Sequence, residues 1–199
     1  LLCGSESGEC GGACRGAWIL MEDHRLLQVS AGATVLATGG GAGIFQNHFV
    51  HDSDVGDGIA LAHQAGAELK NLEFIQFMLG LKGDTGPRFL PLSEISQPGA
   101  LIDAEGSDIL EPHLPRAVDR RAEALRERQT HHPFSSRDSS CLIDLAVAKT
   151  LKDGRKVFWK EHAKVSKEME VRHFSHAFNG GVRIHESGET SVCGLFAAG

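Results

Sequence analysis

Apolar and polar residues alternate over residues 13–29, around Trp18-Ile19-Leu20 and Leu26-Leu27 with Glu22-Asp23-His24 between them, and this pattern predicts a β-hairpin. A continuously apolar run, Ala33-Thr34-Val35-Leu36-Ala37, comes next and is closed by Thr38-Gly39-Gly40-Gly41. That is the signature of a buried strand ending where another backbone approaches closely. With Gly39 and Gly41 as the first two glycines of a dinucleotide fingerprint, the third position is Ile44, and no acidic residue closes a following strand. Residues 46–54 are polar and irregular where the fingerprint needs a helix. The glycines therefore read as a close-approach turn, set against a nucleotide held by another part of the protein.

Ile59-Ala60-Leu61-Ala62-His63-Gln64 has the period of a short amphipathic helix, with Asp57 as N-cap and Gly66 as C-cap. Residues 67–77 alternate like a strand, with Leu69, Leu72, Phe74 and Phe77 apolar, and residues 79–106 break into short strands and loops at glycine and proline. Three helices are expected after that, over 115–129, 138–151 and 156–169. A closing hairpin pairs residues 181–184 with 195–198. Within the first of these helices Arg116, Arg120, Arg121, Arg126 and Arg128 alternate with Asp119, Glu123 and Glu127, the pattern of a solvated face with i,i+4 pairs. No internal repeat is present.

The 199 residues are 41% hydrophobic, enough for a globular core, and no apolar run approaches the roughly 18 residues of a spanning helix. No transmembrane segment or signal peptide is expected, and the cytoplasm is the default location. The net charge of −6 comes from 26 acidic and 20 basic residues spread along the chain, which argues against a nucleic-acid partner. An opening without Met and a stop at Gly199, just after Gly194-Leu195-Phe196-Ala197-Ala198, are the marks of an excised fragment. Cys3, Cys10, Cys14, Cys141 and Cys193 form an odd set without a secretory signal, which argues for reduced thiols. The spacing of the first three matches no Cys-x-x-Cys pair and brings no fourth ligand, so no metal is expected.

Eleven histidines are many for this length. His131-His132 beside Pro133, and His24, His162 and His185 on predicted polar surfaces, read as structural. His176 differs, because Asn179-Gly180-Gly181 follows it and sets an imidazole beside approachable backbone, where a carboxylate ligand fits. Arg137 precedes a predicted helix with Asp138 in its first turn, and by charge alone it pairs with a neighbouring carboxylate. Glu94 in Leu92-Ser93-Glu94 reads as an exposed acid. Gly-x-Ser-x-Gly, Walker and His-Glu-x-x-His motifs are absent from the sequence. The residues taken alone lead to an α/β or α+β fragment.

The order of motifs adds to this. Ala33-Thr34-Val35-Leu36-Ala37-Thr38-Gly39-Gly40 leads to Gly56-Asp57-Gly58-Ile59-Ala60-Leu61-Ala62 with Ala65-Gly66-Ala67, and then to Asn71-Leu72-Glu73-Phe74-Ile75-Gln76-Phe77. Ser136-Arg137-Asp138, His176 with Gly180-Gly181-Val182, and Gly194-Leu195-Phe196-Ala197-Ala198-Gly199 complete the set. The chain resembles the FAD-dependent flavoprotein family of succinate dehydrogenase, fumarate reductase and L-aspartate oxidase, and shares the Asn-Leu-Glu-Phe-x-Gln-Phe wording with the last.

The resemblance implies a mixed α+β fold: a capping, substrate-covering domain at residues 75–176, and partial segments of an FAD-binding α/β domain at 1–74 and 177–199. It implies FAD as cofactor of the full-length protein, with Thr38, Gly39, Gly40, Asp57 and Gly199 toward it, and it leaves binding by this chain alone in doubt. The remainder of the FAD domain and a small organic acid substrate are the implied partners. Hydride then passes between a substrate carbon and the flavin. Arg137 matches the family's proton-transferring arginine, His176 a histidine that grips a substrate carboxylate, and Ser93 with Glu94 a Thr-Glu pair at the far end of the substrate. Two departures bear on the substrate. Met78-Leu79-Gly80 stands where the family has His-Pro-Thr, and Gln97-Pro98-Gly99 where it has Arg-Gly-Glu-Gly, so a histidine and an arginine are missing from a dianion site. A non-catalytic homologue with a binding cap, and a self-contained α+β domain, are the competing readings.

Overall fold

The computed structural model describes residues 1–4, 12–84, 86–97, 99–115, 119–161 and 164–199; Cys10, Pro98, Arg116 and His162 lie outside them. The chain begins with β1 (Cys3–Gly4), β2 (Ala13–Cys14), β3 (Gly16–Leu20), β4 (Leu26–Ser30) and β5 (Thr34–Leu36), then a 3-10 turn at Ala42–Ile44. Helix α1 (Asp57–Gln64) leads to β6 (Leu69–Lys70), β7 (Ile75–Gly83), β8 (Gly86–Phe89), α2 (Leu92–Ile95) and β9 (Leu101–Ile102). Next come α3 (Asp119–Arg128), α4 (Cys141–Lys152), β10 (Val157–Glu161), β11 (Lys164–Phe178), β12 (Gly181–Val182) and β13 (Leu195–Ala197). Two units form: Leu1–Ile44 with Val50–Ile75 and Ala177–Gly199, and Phe45–Phe49 with Gln76–His176. Apart from the short excursion at Phe45–Phe49, the chain leaves the first unit within β7 and returns to it within β11.

In the first unit β3 and β4 make the expected antiparallel hairpin, from Gly16 opposite Ser30 to Leu20 opposite Leu26. The turn is closed by Met21 N–H donating to Arg25 O at 2.9 Å, with His24 in the left-handed region at φ 63°. The expected hairpin between 181–184 and 195–198 does not form. β13 instead lies parallel to β5, with Val35 opposite Phe196, and β12 pairs antiparallel with β6. The parallel alignment drives Leu195 into a small core with Cys14, Ala62, Ala67 and Val192, a burial that a local hairpin would forgo. The strand expected over 67–77 is likewise interrupted by a turn at Asn71, whose φ is 59°.

Helix α1 corrects one cap and explains the other. Gly56, at φ 86°, is the N-cap, and Asp57 is the first helical residue, with no side-chain capping bond at this end. At the other end Ala67 N–H donates to Ala62 O at 2.9 Å and Gly66 N–H to His63 O at 3.0 Å, a Schellman pair that needs the positive φ of 92° at Gly66.

The second unit holds a five-stranded sheet in the order β8-β7-β11-β10-β9. Its core gathers Leu79, Leu81, Leu90, Ile95, Leu101, Leu110, Ile143, Val147, Val157 and Val171. The helix expected over 156–169 is replaced by β10 and β11, antiparallel with Val157 opposite Val171 and an irregularity between Phe158 and Lys160. Val157, Phe158 and Trp159 are all buried there, and this aromatic and β-branched run outweighs the helix-favouring Lys and Glu residues around it. Helix α3 also departs from expectation. Its buried face is Arg121, Ala124, Leu125 and Arg128, so two members of the supposed solvated charge run lie inside. No helix among the described residues is long and apolar enough to cross a membrane.

Candidate functional site

The parallel pair β5–β13 decides where the first unit has a cleft. A cavity of about 690 Å³ opens at the carboxyl ends of both strands, lined on one side by Leu36, Thr38, Gly39 and Gly40 and on the other by Ala197, Ala198 and Gly199. Gly58 and Ile59 of α1, Lys70, Asn71, and residues 178–184 complete the wall. Ligands of parallel α/β sheets bind outside the carboxyl ends of the strands, and the volume falls within the roughly 300–1,000 Å³ of small-molecule sites.

Glycine is required at two points of this wall. Gly39 has φ 74°, and a Cβ there would stand 3.3 Å from Asp54 Oδ1. At Gly58 an added Cβ would collide with Thr38 Oγ1, so α1 can approach the end of β5 only because that position is bare. Of the residues expected at a cofactor, Thr38, Gly39, Gly40 and Gly199 line the cleft, whereas Asp57 is exposed and is not among the lining residues. The carboxylate against the glycine turn is that of Asp54, three residues earlier in the same Asp54-Val55-Gly56-Asp57-Gly58 run.

The second unit holds the residues expected at a substrate. His176, on β11, stands nearly perpendicular to Phe89, at 5.8 Å between ring centroids, and to Phe49, at 6.5 Å. Its Nδ1 is buried without a hydrogen-bond partner, a cost that a ligand group would relieve. Phe89 also meets His132, at 6.2 Å. Burial, then the charges of Arg128, His176 and His131, hold the His132 pKa below the ordinary imidazole value, so His132 is poised as a neutral donor or acceptor beside Phe89.

The segment from His132 to Ser140 is braced from inside. Arg128, fully buried, donates from Nη1 to His132 O at 3.2 Å and to Pro133 O at 3.5 Å, and it ion-pairs with the buried Asp144. Desolvation lowers its pKa to about 10, and Asp138 and Cys141 oppose that shift. His131 spans the same segment, from Pro133 O at 2.7 Å to Asp138 Oδ2 at 3.0 Å. Asp138 is therefore committed to His131 and to Ser140 and does not neutralise Arg137, contrary to the pairing expected from charge alone. The Asp138 carboxyl is held below its usual value, foremost by the Ser140 hydroxyl.

Arg137 itself is exposed, with its backbone N–H donating to Ser135 Oγ at 3.2 Å. Ser93 and Glu94 sit on α2, immediately after Phe89-Leu90-Pro91, with Ser93 exposed and Glu94 half-buried. The ring contacts join His176 to His132 through Phe89, and the described contacts do not join Arg137, Ser93 or Glu94 to that cluster. Met78, at the position of the family's histidine, is buried in β7. Sequence reasoning does not single out His132 or Arg128 as site residues. The signal for Arg128 is its place in the i, i+3, i+4, i+7 set Arg121, Ala124, Leu125, Arg128. Among the described residues no group of three or more His, Cys, Asp or Glu is placed to hold a metal.

Residues 5–199 match the FAD binding domain family. L-aspartate oxidase of Bacillus subtilis (strain 168) is 32% identical over 200 residues, covering 94% of this chain and 36% of that protein. The fumarate reductase (CoM/CoB) of Methanothermobacter marburgensis has one subunit that is 32% identical over 182 residues, covering 85% of this chain and 33% of that subunit. The chain thus spans about a third of the length of these curated relatives. In fold it is similar to a quinol-fumarate reductase solved with menaquinol molecules, at a TM-score of 0.60 and 18% identity over 88% of this chain and 35% of that one. The Mycobacterium smegmatis Sdh1 structure in complex with UQ1 gives 0.53 at 25% identity, covering 95% and 33%.

Proposed function

Because the chain belongs to the FAD binding domain family of oxidoreductases, we propose that it forms part of an FAD-dependent enzyme that oxidises or reduces a small organic acid, in the manner of L-aspartate oxidase and fumarate reductase. The observation that carries this reading is the glycine-walled cleft at the carboxyl ends of β5 and β13. Its walls fit the cofactor: open space beside the backbone of Gly199 lets a pyrophosphate or ribose come close, and Thr38, Lys70 and Asn71 supply polar groups. When bound, FAD supplies a two-electron acceptor or donor of hydride.

The second unit then acts as the cap, and the chain's own residues divide the remaining work. His176 hydrogen-bonds a substrate carboxylate through the nitrogen that now lacks a partner. Arg137, unencumbered by Asp138, moves a proton at the reacting carbon and offers a fixed cationic fork to a carboxylate. Ser93 and Glu94 bind the far end of the substrate. His132, across Phe89 from His176, takes the part of the donor missing at Met78. On this reading residues outside the chain complete the FAD domain.

The test is flavin absorbance of the full-length protein, titrated anaerobically with dicarboxylates and amino acids. Bleaching by one acid is expected, with a loss of about a hundredfold or more in rate for Arg137→Gln. Bound flavin that no acid bleaches would rule out the proposed substrate class, and a protein without flavin would rule out the cleft as its site.

A further inference from the structure

We propose that Cys3 and Cys14 are a redox-active thiol pair, which closes to an intramolecular disulfide on reaction with a hydroperoxide that enters the open cleft beside β1. The register of β1 and β2 sets Cys3 directly opposite Cys14. Arg15 N–H donates to Leu2 O at 2.8 Å, which marks the pair as the narrow, non-hydrogen-bonded kind. In such pairs the Cα atoms lie about 4.5 Å apart with the side chains on one face, inside the roughly 4.4–6.8 Å that a disulfide spans.

The two thiols divide access and acidity between them, Cys3 being the reachable sulfur and Cys14 the more acidic one. Cys3 is exposed and lines a cleft of about 520 Å³ with Arg15, Trp18 and Gln28, so a small oxidant reaches its sulfur. Cys14 is 2% exposed and packs in the core of the first unit, with its Sγ 3.6 Å from Gly16 O. Burial disfavours the Cys14 thiolate, yet the contacts of its sulfur with Gly16 and Cys3 oppose this and the pKa is lowered. Burial and the adjacent Cys14 sulfur push Cys3 up. Cys193 gives its backbone carbonyl, not its thiol, to Cys14 N–H.

The chemistry balances with the hydroperoxide alone as oxidant. The Cys3 sulfur attacks the outer peroxide oxygen, the O–O bond breaks, and an alcohol leaves (water, if the oxidant is hydrogen peroxide), with Cys3 now a sulfenic acid. Cys14 then gives up its thiol proton and attacks the Cys3 sulfur; the S–O bond breaks, the S–S bond forms, and the departing hydroxide takes up that proton as water. Two thiols are oxidised, and one hydroperoxide is reduced.

The tryptic peptide of residues 1–15 carries Cys3, Cys10 and Cys14 together, which makes the test direct. The protein is treated with one equivalent of hydrogen peroxide, alkylated and digested. The peptide should be two hydrogens lighter and carry a single alkyl group, and dithiothreitol should restore three. Cys10→Ser should keep the lighter peptide, and Cys3→Ser, at an exposed position where folding is not at stake, should abolish it. A lighter peptide that survives in Cys3→Ser, alkylation of all three thiols after peroxide, or over-oxidation to sulfinic acid without the lighter species would each overturn the pairing.

Discussion

Arg128 has no exposed surface, and its charge is answered by Asp144, itself 2% exposed. Two ions inside a core are stable only together, so Arg128→Met should cost about 3–5 kcal/mol by stranding the carboxylate, while the double change with Asp144→Leu recovers most of it. Urea unfolding read from buried Trp159, in a Trp18→Phe background, measures both. The same readout tests His173. Its pKa is pushed down to about 4, first by burial and then by the Arg128 charge, because the nearby Asp144 is already committed to that arginine. An unfolded imidazole titrates near 6.5, so between about 4 and 6.5 the folded state binds fewer protons than the unfolded chain. Stability should be full above that window and fall as pH drops through it, by at most on the order of 3 kcal/mol. His173→Gln should flatten the slope. Asp138 acts at a lower pH: its depressed carboxyl stabilises the segment above the usual carboxylate value, and that contribution disappears as pH falls below it. On the proposed reading, His176→Ala should raise the KM of the full-length protein by about ten- to a hundredfold, the worth of one charged hydrogen bond.

Among the elements, the contact of α1 with the end of β5 is the least tolerant of change. Gly58→Ala places a methyl on Thr38 and should cost about 1–3 kcal/mol. Adding Thr38→Ala removes the hydroxyl and γ-methyl and should return part of it, as thermal melts of the three variants would show. What could be read from the sequence follows from how local each element's cause is. The β3–β4 hairpin, β5 and α1 carry their own periodicity and turn residues, and they formed where expected within a residue or two. The segment 156–169 carries a conflicting local signal: Lys and Glu favour a helix, and only pairing of Val157 with Val171 and of Phe158 with Ile102 makes it strand. The partner of β13 left no local mark, because β5 lies at the other end of the chain. Charge misled in a similar way at Arg121 and Arg128, where burial depends on Asp108, Glu111 and Asp144, acids that no i,i+4 rule finds. The resemblance placed Thr38, Gly39, Gly40 and Gly199 on the cleft and left out residues 178–184, which the fold brings in from the far end of the chain; Asp54 rather than Asp57 stands against the glycine turn.

At the scale of the whole molecule, the first unit leaves much apolar surface uncovered. Trp18, Ile19, Leu20, Leu26 and Leu27 are between 45% and 66% exposed, and Val35, in the middle of a parallel strand, is 61% exposed. Parallel strands are ordinarily covered on both faces. The isolated chain should therefore bind a hydrophobic dye and self-associate in sedimentation, and Leu20→Glu with Leu26→Lys should reduce both. The β5–β13 pairing also sets a timetable. A ribosome makes β13 about 160 residues after β5, on the order of ten seconds or more at ordinary elongation rates. During that wait the second unit is synthesised to its end at His176, while an unpaired apolar strand edge stays open to other chains. Chaperone demand during synthesis should accordingly fall on residues 34–36, and a circular permutant of this chain that joins Gly199 to Leu1, cutting the separation of the two strands to about 35 residues, should fold faster and aggregate less.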